Sequence, residues 1–468
     1  MAKMRIEKDS LGSIKVPHDA LYGAQTQRAI ENFDYLSRAM PDGFITALAQ
    51  VKKAAAKANK TLGGLSEIHE QLIISACDKI LGNEAIRNES FPVSVFQTGS
   101  GTSTNMNMNE VIATLANQSA KKNDELIHPN DHVNFGQSSN DVIPTTIQLA
   151  SLVLIVEHLL PAIEQLDKKI SSLEERFNRV IKTGRTHLMD AMPIFLSDEF
   201  ATWRFQICES RERIVSSLSR LSEIPLGGTA IGTGINRHEN FPETVADELS
   251  QQFELPIKPC SNLASRIASQ DPSLEIHGQL KVLATVLMKI SNDIRWMNSG
   301  PISGLGEIQL KALQPGSSIM PGKVNPVIPE SIAMMCAEII GNDATITLAN
   351  QSGNFQLNVM FPLIADKLIS SILLLSSGIL SLANKTLSHF EVNESSLNER
   401  LFKNPVLVTA LNTKVGYEKA AEIAKVAQSE GRSIIDVAQS LTSLSEEQLR
   451  ELLTPERLAR PFDKKYSD

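Results

Sequence analysis

The chain has 468 residues, of which 42% are hydrophobic, 21% are charged and 5% are aromatic. This length predicts about three domains and supplies enough apolar residues for a large core. The 45 basic residues are outnumbered by 53 acidic ones, and no dense basic run is present. A nucleic-acid-binding protein is therefore disfavoured, and the low aromatic content also disfavours strand-rich folds.

Four cysteines, Cys77, Cys208, Cys260 and Cys336, lie far apart in the sequence, and none forms a CxxC pair. This spacing disfavours a disulfide framework, a zinc site of neighbouring cysteines and a cluster bound by a tight cysteine run. The N-terminal stretch MAKMRIEKDSLG lacks the apolar core of a signal peptide. The most apolar segment, 363–382, includes an aspartate, a lysine and five serines, which predicts a buried helix rather than a membrane span. We expect a cytoplasmic protein that binds no membrane.

The N-terminal part predicts two helices, at 45–62 and 67–81. A polar stretch at 97–110 follows, with a helical segment continuing to about residue 121. The stretch 128–141 is again polar and is interrupted by turn-forming residues.

Hydrophobic periodicity is clearest in the middle of the chain. Three sets of apolar residues repeat at alternating steps of three and four, the second with Ser210 in its gap, which predicts three long helices that bury their seams against one another in a bundle. Pro161 predicts either a kink in the first of these helices or a cap at the start of its long part. The sets are Leu159, Ile163, Leu166, Ile170, Leu173, Phe177 and Val180; Trp203, Ile207, Ile214, Leu218 and Leu221; and Ile276, Leu280, Leu283, Leu287, Ile290, Ile294 and Met297.

Two further helices are predicted at 329–348 and 357–382. Their broad apolar coverage suggests deep burial, including burial at a subunit interface. Beyond residue 392 the pattern changes to short amphipathic helices at 416–429 and 433–441, and then to a helix with Ser445 as its N-cap. The predicted domains are an N-terminal mixed helical domain (1–138), a central helical bundle (139–392) and a small C-terminal helical domain (393–468).

Four polar islands, 98–109, 128–141, 183–190 and 316–326, interrupt this apolar helical pattern. Most of their residues are polar or glycine, and each lies beside a helical segment, so that backbone N–H groups and hydroxyls can bind an anion. The alternative is that each island is an ordinary cap or turn. Four such islands in one chain favour a functional role.

The island 316–326, GSSIMPGKVNP, combines flexible glycines with a lysine, an asparagine and two serines. A plain Gly/Pro-rich connection is the alternative interpretation. In GRTHLMDA, His187 lies beside Arg185 and Thr186 and is suited to acid–base chemistry near neutral pH, although a single histidine is often structural. GGTAIGTGIN (227–236) predicts a Gly-rich turn between helices, because no strand precedes it and its spacing fits GxGxxG poorly.

Together these stretches resemble the fumarase/aspartase superfamily, and class II fumarases in particular. The matching blocks are TGSGTSTNMNMNE, HPND, QSSND, GRTHLMDA, GGTAIGTGIN, GSSIMPGKVNP and SGNFQLNV, in the family's order and over essentially the whole chain. His187, Gly322 and Ser139 stand where aspartases usually have Gln, Ala and Thr, so the resemblance favours fumarase.

The resemblance implies an all-α, three-domain fumarase/aspartase-like fold whose central long-helix bundle forms the core of a homotetramer. It implies active sites shared between three subunits and a small dicarboxylate substrate. The implied reaction is the reversible hydration of fumarate to (S)-malate by anti addition of water, without metal or cofactor.

The resemblance also assigns roles residue by residue. Ser317 matches the base that removes the C3 proton of malate, while His187, paired with Glu330, matches the group that handles water at C2. The implied substrate-binding residues are Ser100, Gly101, Thr102, Ser138, Ser139, Asn140, Thr186, Lys323 and Asn325. A serine alkoxide needs an environment that stabilises an anion, for which Lys323 and loop N–H groups are candidates.

A second, outer anion site known in the family corresponds to His128, Asn130 and Asp131. Some members have an arginine a few residues before the histidine. Here 124–127 reads DELI and contains no basic residue.

Several alternatives remain open at this stage. An aspartate ammonia-lyase is the main one among enzymes, whereas argininosuccinate and adenylosuccinate lyases share the loop but not GRTHLMDA. A non-catalytic structural protein and a helical binding module are alternatives from other classes. The joint presence of Ser317, His187, Lys323 and Glu330 disfavours a pure scaffold.

Overall fold

A computed structural model describes residues 3–34, 38–121 and 126–462. Helices contain 64% of the protein, which confirms the predicted all-α class. The chain forms two compact units. The first comprises Met1–Ala162, Ser210–Ala284 and Met335–Ser377, and the second comprises Ile163–Glu209, Thr285–Met334 and Gly378–Asp468. The three-domain division remains a prediction.

The first part of the chain begins with an antiparallel hairpin and continues with helices whose starts follow local chemistry. Ser66, for example, accepts a hydrogen bond from the N–H of His69 and so caps the third helix. The elements are β1 Met4–Asp9, β2 Gly12–Pro17, α1 Ala24–Asn32, α2 Asp42–Thr61, α3 Glu67–Gly82, α4 Glu84–Ser90, α5 Thr102–Asn117 and α6 Ser139–Leu154.

The middle of the chain contains the long helices. A π-helical turn, Ile155–Leu159, joins α6 to the helix Leu160–Arg176, and Pro161 is the second residue of that helix, close to where its position predicts an irregularity. The elements are α7 Leu160–Arg176, β3 Ile181–Thr186, β4 Met189–Phe195, α8 Leu196–Leu221, β5 Glu223–Ile224, α9 Phe241–Phe253, β6 Lys258–Pro259, α10 Leu263–Ala268, α11 Asp271–Met297, β7 Ile308–Gln309, α12 Val327–Gln351 and α13 Phe361–Ser381.

The C-terminal part consists of short helices around a small apolar cluster that includes Leu411, Ile423, Val437 and Leu449. Ser445 caps α18 in a capping box with Gln448, as its position predicted. The elements are the π turn Leu382–Thr386, the 3-10 turn Leu387–His389, β8 Glu391–Val392, α14 Glu394–Lys403, the 3-10 segment Pro405–Leu411, α15 Asn412–Val415, α16 Tyr417–Glu430, α17 Ile434–Leu441, α18 Glu446–Leu452 and α19 Pro455–Ala459.

The predicted seams form the core. Every seam residue of α11 is buried, and in the other two sets only Val180 and Leu218 are partly exposed. Within the first unit, His277 on α11 hydrogen-bonds Asp343 on α12 and Ser371 on α13. Burial of three heptad seams confirms the helical bundle.

The strands form four two-stranded sheets in the described part of the chain: β1–β2, β3–β4 and β7–β8 are antiparallel, and β5–β6 is parallel. The β3–β4 hairpin corrects the expectation of a loop beside a helix at 183–190. The segment Ile181–Thr186, in which Ile181, Thr183 and Thr186 are β-branched, pairs with Met189–Phe195 from Ile181 opposite Phe195 to Thr186 opposite Met189.

Three helical segments are long and apolar enough to cross a membrane by length and composition: Ser139–Arg176, Val327–Gln351 and Phe361–His389. The most apolar windows of the first and third are 61% and 56% buried inside the protein. Burial in the protein core therefore accounts for their apolar character. In α12 only 39% of that window is buried, so this helix keeps an apolar surface in the single chain.

Candidate active site

The island 316–326 is a loop whose two ends are hydrogen-bonded to each other. The side-chain amide of Asn325 donates to the carbonyl of Gly316 at 2.6 Å. A Cβ atom on Gly316 would lie 1.9 Å from the carbonyl oxygen of Lys323, so only glycine permits this approach. Inside the loop, Oγ of Ser317 accepts hydrogen bonds from the backbone N–H groups of Ile319 and Met320 at 3.2 and 3.1 Å.

A cavity of about 800 Å³ borders the C-terminal half of this loop. Its lining includes three predicted site residues, Lys323, Asn325 and Glu330, together with Arg295 and Asn298 on and after α11. The structure thus brings a cation, an amide and a carboxylate together at one opening. Ser317 and His187 are not part of the described lining of this cavity.

His187 lies at the tip of the β3–β4 hairpin. His187 and Leu188 have φ angles of 55° and 61°, as a two-residue turn with both central residues in the left-handed region requires. Histidine tolerates this region better than most side chains do. Thr186 and His187 are exposed, and His187 has no hydrogen-bond partner within the described residues.

A buried ion network holds the base of this hairpin. Lys182 donates to Glu307 at 2.6 Å and to Glu199 at 2.8 Å, and Arg185 contacts the other oxygen of Glu307 at 2.5 Å. The side chains of Lys182 and Glu307 are each 2% exposed. Nη2 of Arg185 is therefore directed at Glu307 inside the protein.

The island 98–109 forms the N-terminal turn of α5. Gly101 precedes the helix with a φ of 75°, and a Cβ there would lie 2.9 Å from the side chain of Ile143 on α6. The hydroxyls of Ser100 and Thr102 are 2.8 Å apart. Two hydroxyls are thus placed at the positively polarised end of a helix, which is a favourable place for an anion.

The island 128–141 ends in the first turn of α6, where Ser138 is the N-cap. The hydroxyl of Ser138 accepts from the N–H of Asn140, and the amide of Asn140 donates to the carbonyl of Ala230 at 2.8 Å. Ser139 is buried, and its Oγ accepts from the amide of Asn105 at 2.9 Å. This bond brings the islands 98–109 and 128–141 together in the first unit.

Two buried charges lie behind this turn. Asp141 accepts from the N–H of Ser138 at 2.8 Å, of Gly227 at 3.0 Å and of Thr229 at 2.7 Å, and so ties the α6 cap to the turn 227–236. Burial raises the pKa of Asp141 to about 6 despite these bonds. Burial also lowers the pKa of Lys52, on α2, to about 7, although Asp141 acts in the opposite direction.

The residues of the predicted outer site lie on an exposed turn. His128 caps the π-helical turn Pro129–Val133 and lies 3.0 Å from the carboxylate of Asp131, while Asn130 is exposed. The carboxylate already next to the histidine competes with an incoming anion. Of the preceding DELI segment, Asp124 and Glu125 lie outside the described residues.

The structure groups the predicted residues by unit. The sequence did not indicate the buried charged pairs Lys182 with Glu307 and Lys52 with Asp141. One signal for a buried Lys52 was present, because this lysine lies one helical turn after Leu48 on the apolar face of α2. Across the described ranges, no group of three or more His, Cys, Asp or Glu could hold a metal ion. The first unit contains Ser100, Gly101, Thr102, Ser138, Ser139 and Asn140, and the second contains Thr186, His187, Ser317, Lys323, Asn325 and Glu330.

Comparison with known proteins yields two family matches and many relatives. Residues 12–341 match the model of the family described as lyase, and residues 407–460 match that of the fumarase C C-terminus. Fumarate hydratase class II 2 of Pseudomonas aeruginosa is 52% identical over 458 residues, 98% of this chain and 99% of the relative. Fumarate hydratase class II of Bacillus subtilis is 43% identical over 459 residues, with the same coverage.

Solved structures agree with this result. A class II fumarase from Schistosoma mansoni superimposes with a TM-score of 0.95 at 35% identity, covering 98% of this chain and 100% of that one. A fumarate lyase:delta crystallin protein from Brucella melitensis, bound to cobalt, gives a TM-score of 0.91 at 42% identity with the same coverage. The chain therefore belongs to the class II fumarase family of the fumarase/aspartase superfamily.

Proposed function

We propose that this protein catalyses the reversible hydration of fumarate to (S)-malate, with Ser317 as the base at C3. The names of its relatives, at 43–52% identity over nearly the whole chain, support the reaction. The observation that supports the role of Ser317 is the pair of backbone N–H groups, from Ile319 and Met320, that point at its Oγ.

The proposed role of Ser317 requires its side chain to act as an anion. A serine hydroxyl is a weak base, whereas its alkoxide is strong enough to remove a proton next to a carboxylate. Two N–H donors at 3.1–3.2 Å from Oγ stabilise negative charge there. The lysine cation of Lys323, within the same loop, adds a favourable field.

In malate dehydration, the alkoxide of Ser317 takes the C3 proton, and the electron pair of the C–H bond moves into the adjacent carboxylate. Collapse of the resulting dianionic carboxylate forms the C2–C3 double bond and expels the C2 hydroxyl. His187, assisted by Glu330, gives that hydroxyl a proton, so that water leaves. Hydration runs the same steps in reverse.

The substrate carboxylates need donors, and those at the carboxylate next to C3 must strengthen as charge accumulates in the intermediate. Lys323 and Asn325 supply a cation and an amide at the cavity, and Thr186 adds a hydroxyl on the hairpin. At the two helix N-termini, the donors are Ser100, Gly101, Thr102, Ser138, Ser139 and Asn140.

We infer that the working unit is a homotetramer whose active sites combine residues of three subunits. His187 is exposed without a partner in the described chain, as expected for a residue completed by another subunit. Met334 and Leu348, two heptads apart on α12, are 69% and 66% exposed. A bundle between subunits would cover this face. The outer site at His128, Asn130 and Asp131 remains a proposal as well.

The decisive experiment follows fumarate by its ultraviolet absorbance. We expect purified protein to consume fumarate and form malate, with the same rate in the presence of a chelator. The variants S317A and H187N should each lose most malate dehydration while the tetramer persists in light scattering. Near-normal turnover in either variant would remove that residue from the mechanism.

Two further measurements separate the alternatives. Incubation with fumarate plus ammonium should give no aspartate; formation of aspartate would indicate an ammonia-lyase instead. Complete inactivity toward both reactions would favour a scaffold or binding module. Expression in cells should place the protein in the soluble cytoplasmic fraction.

A further inference from the structure

A buried polar hub lies behind the substrate-binding turns of the first unit. Its centre is the side-chain oxygen of Asn134, just after the π-helical turn. This oxygen accepts from Nζ of Lys52 at 2.9 Å and from the amides of Asn105 and Asn109 at 3.2 Å each. Lys52 is fully buried, and its Nζ also donates to the side-chain oxygen of Gln137 at 3.0 Å.

The chemistry of lysine fixes the direction of every hydrogen bond in this hub. Below its pKa of about 7, Lys52 is predominantly an ammonium group, which donates and accepts nothing, so Asn134 turns its oxygen toward Lys52. That oxygen can meet only donors, so Asn105 must in turn present its NH₂ group. One hydrogen of this group serves Asn134, and the second serves Oγ of Ser139 at 2.9 Å.

The chain of bonds ends on the hydroxyl of Ser139. Because Oγ already accepts from Asn105, the hydroxyl hydrogen is free to donate elsewhere. A hydroxyl that donates outward suits a carboxylate, which only accepts. With the opposite polarity, Ser139 would donate to Asn105 and present a lone pair to the substrate, which would repel it.

We propose that Lys52 is a positioning residue, which polarises the relay Lys52–Asn134–Asn105–Ser139 so that the Ser139 hydroxyl donates to a substrate carboxylate. This inference rests on the proposed function, since it concerns the same substrate site. Lys52 itself does not touch the substrate. Its effect passes through Asn105 to one hydroxyl.

The test is a double-mutant cycle between K52M and S139A, read as kcat and KM for malate. A hydrogen bond to a charged ligand contributes roughly a tenfold or larger factor in affinity. Because Ser139 contacts the carboxylate in substrate and transition state alike, K52M should raise KM about tenfold with little change in kcat. In the S139A background, K52M should change KM by less than about twofold.

Two further variants keep the test decisive. N105L removes the donor to Ser139 without touching Lys52 and should reproduce the KM effect, even if K52M fails to fold. K53M, one residue away, removes an ion pair with Asp78 at 2.6 Å and should leave both constants unchanged. This control has the same substitution on the same helix.

Each outcome decides between the hypotheses. Equal KM effects of K52M with and without Ser139, or normal KM in N105L, would overturn the relay while leaving the fumarase activity in place. If the unaltered protein neither turns over nor binds malate, the proposed function fails and the relay fails with it. A loss of kcat rather than affinity in K52M would assign the residue a different role.

Discussion

The buried carboxylate of Glu110 offers the sharpest stability prediction. Glu110 lies on α5 and receives four hydrogen bonds from the start of α1. One oxygen accepts from the N–H of Gly23 at 2.9 Å and from the N–H and hydroxyl of Thr26 at 3.2 and 2.6 Å. The other accepts from the N–H of Gln25 at 2.8 Å. A carboxylate from a distant helix thus caps α1, which begins after Gly23 with no side-chain cap of its own.

The substitution E110Q keeps the shape and changes the chemistry of this cap. An amide oxygen in place of the first carboxylate oxygen retains the bonds from Gly23 and Thr26. The amide NH₂ then faces the N–H of Gln25. The N–H of Gln25 loses its acceptor, and two hydrogen-bond donors point at each other. A hydrogen bond to a charged group contributes about 1.5–3 kcal/mol, and a negative charge at a helix N-terminus about 0.3–1 kcal/mol. We therefore expect α1 to lose about 2–4 kcal/mol of local stability.

Hydrogen exchange measured by mass spectrometry tests this locally. Amides of peptides covering α1 should exchange roughly 30-fold to several hundred-fold faster in E110Q, since each 1.4 kcal/mol is tenfold. The control E89Q changes an exposed glutamate on α4 that has no partner in the described chain, and should exchange normally. Unchanged exchange at α1 in E110Q would refute the assignment of Glu110 as its cap.

Four other predictions follow from buried contacts. The pKa of Asp141 is raised from an ordinary 3.8 to about 6 in the folded protein, so its protonation stabilises the folded state. This contribution to the free energy of unfolding is complete below pH 3.8 and is lost as the pH rises through 6. The pKa of Lys52 is lowered from 10.5 to about 7 in the folded protein, so the free energy of unfolding should rise between pH 7 and 10.5. K52M should abolish this rise, as measured by urea unfolding at constant protein concentration. G99A places a Cβ 1.6 Å from the carbonyl of Val359 and should cost about 1–3 kcal/mol or more in the same assay, whereas G82A, with open space around it, should be neutral or slightly stabilising. K182M leaves Glu307 with Arg185 alone and should cost about 3–5 kcal/mol, part of which E307Q restores in the double variant.

The helices could be predicted from the sequence because their signal is local. The seam of α11 shows at every third or fourth residue and needs no partner to be recognised. The ends of α2, α3 and α16 differ from their predicted bounds by three residues or fewer, since caps are also local. The β3–β4 hairpin was missed because its turn contains His187 and Leu188 in place of the usual Asn-Gly pair, so no ordinary turn signal marks it.

The predicted site residues were recognised by resemblance, and the contacts that hold them were not. Lys52 and Asn134 are 82 positions apart in the chain, and Lys182 and Glu307 are 125 apart. No periodicity connects such pairs, because only the packed fold brings them together. A single sequence gives the residue types at a site, while the direction of each hydrogen bond requires the coordinates.

The polar islands show how the direction of an exposed or partly buried hydroxyl can depend on residues that lie behind it. In 98–109, Thr104 is bonded to Gln97, and Asn107 donates to the carbonyl of Ser90. Asn105 supports Ser139. Where a buried polar group is hydrogen-bonded, its partner fixes which way it points, as the NH₂ groups of Asn105 and Asn107 show; the side-chain oxygens of both have no partner within the described residues. In the proposed substrate site, the hydroxyls of Ser100 and Thr102, which bond each other, and that of Ser139 are thus oriented by the protein itself. Pre-orientation of this kind lets binding energy act on the charge that develops in the reaction rather than on arranging the site.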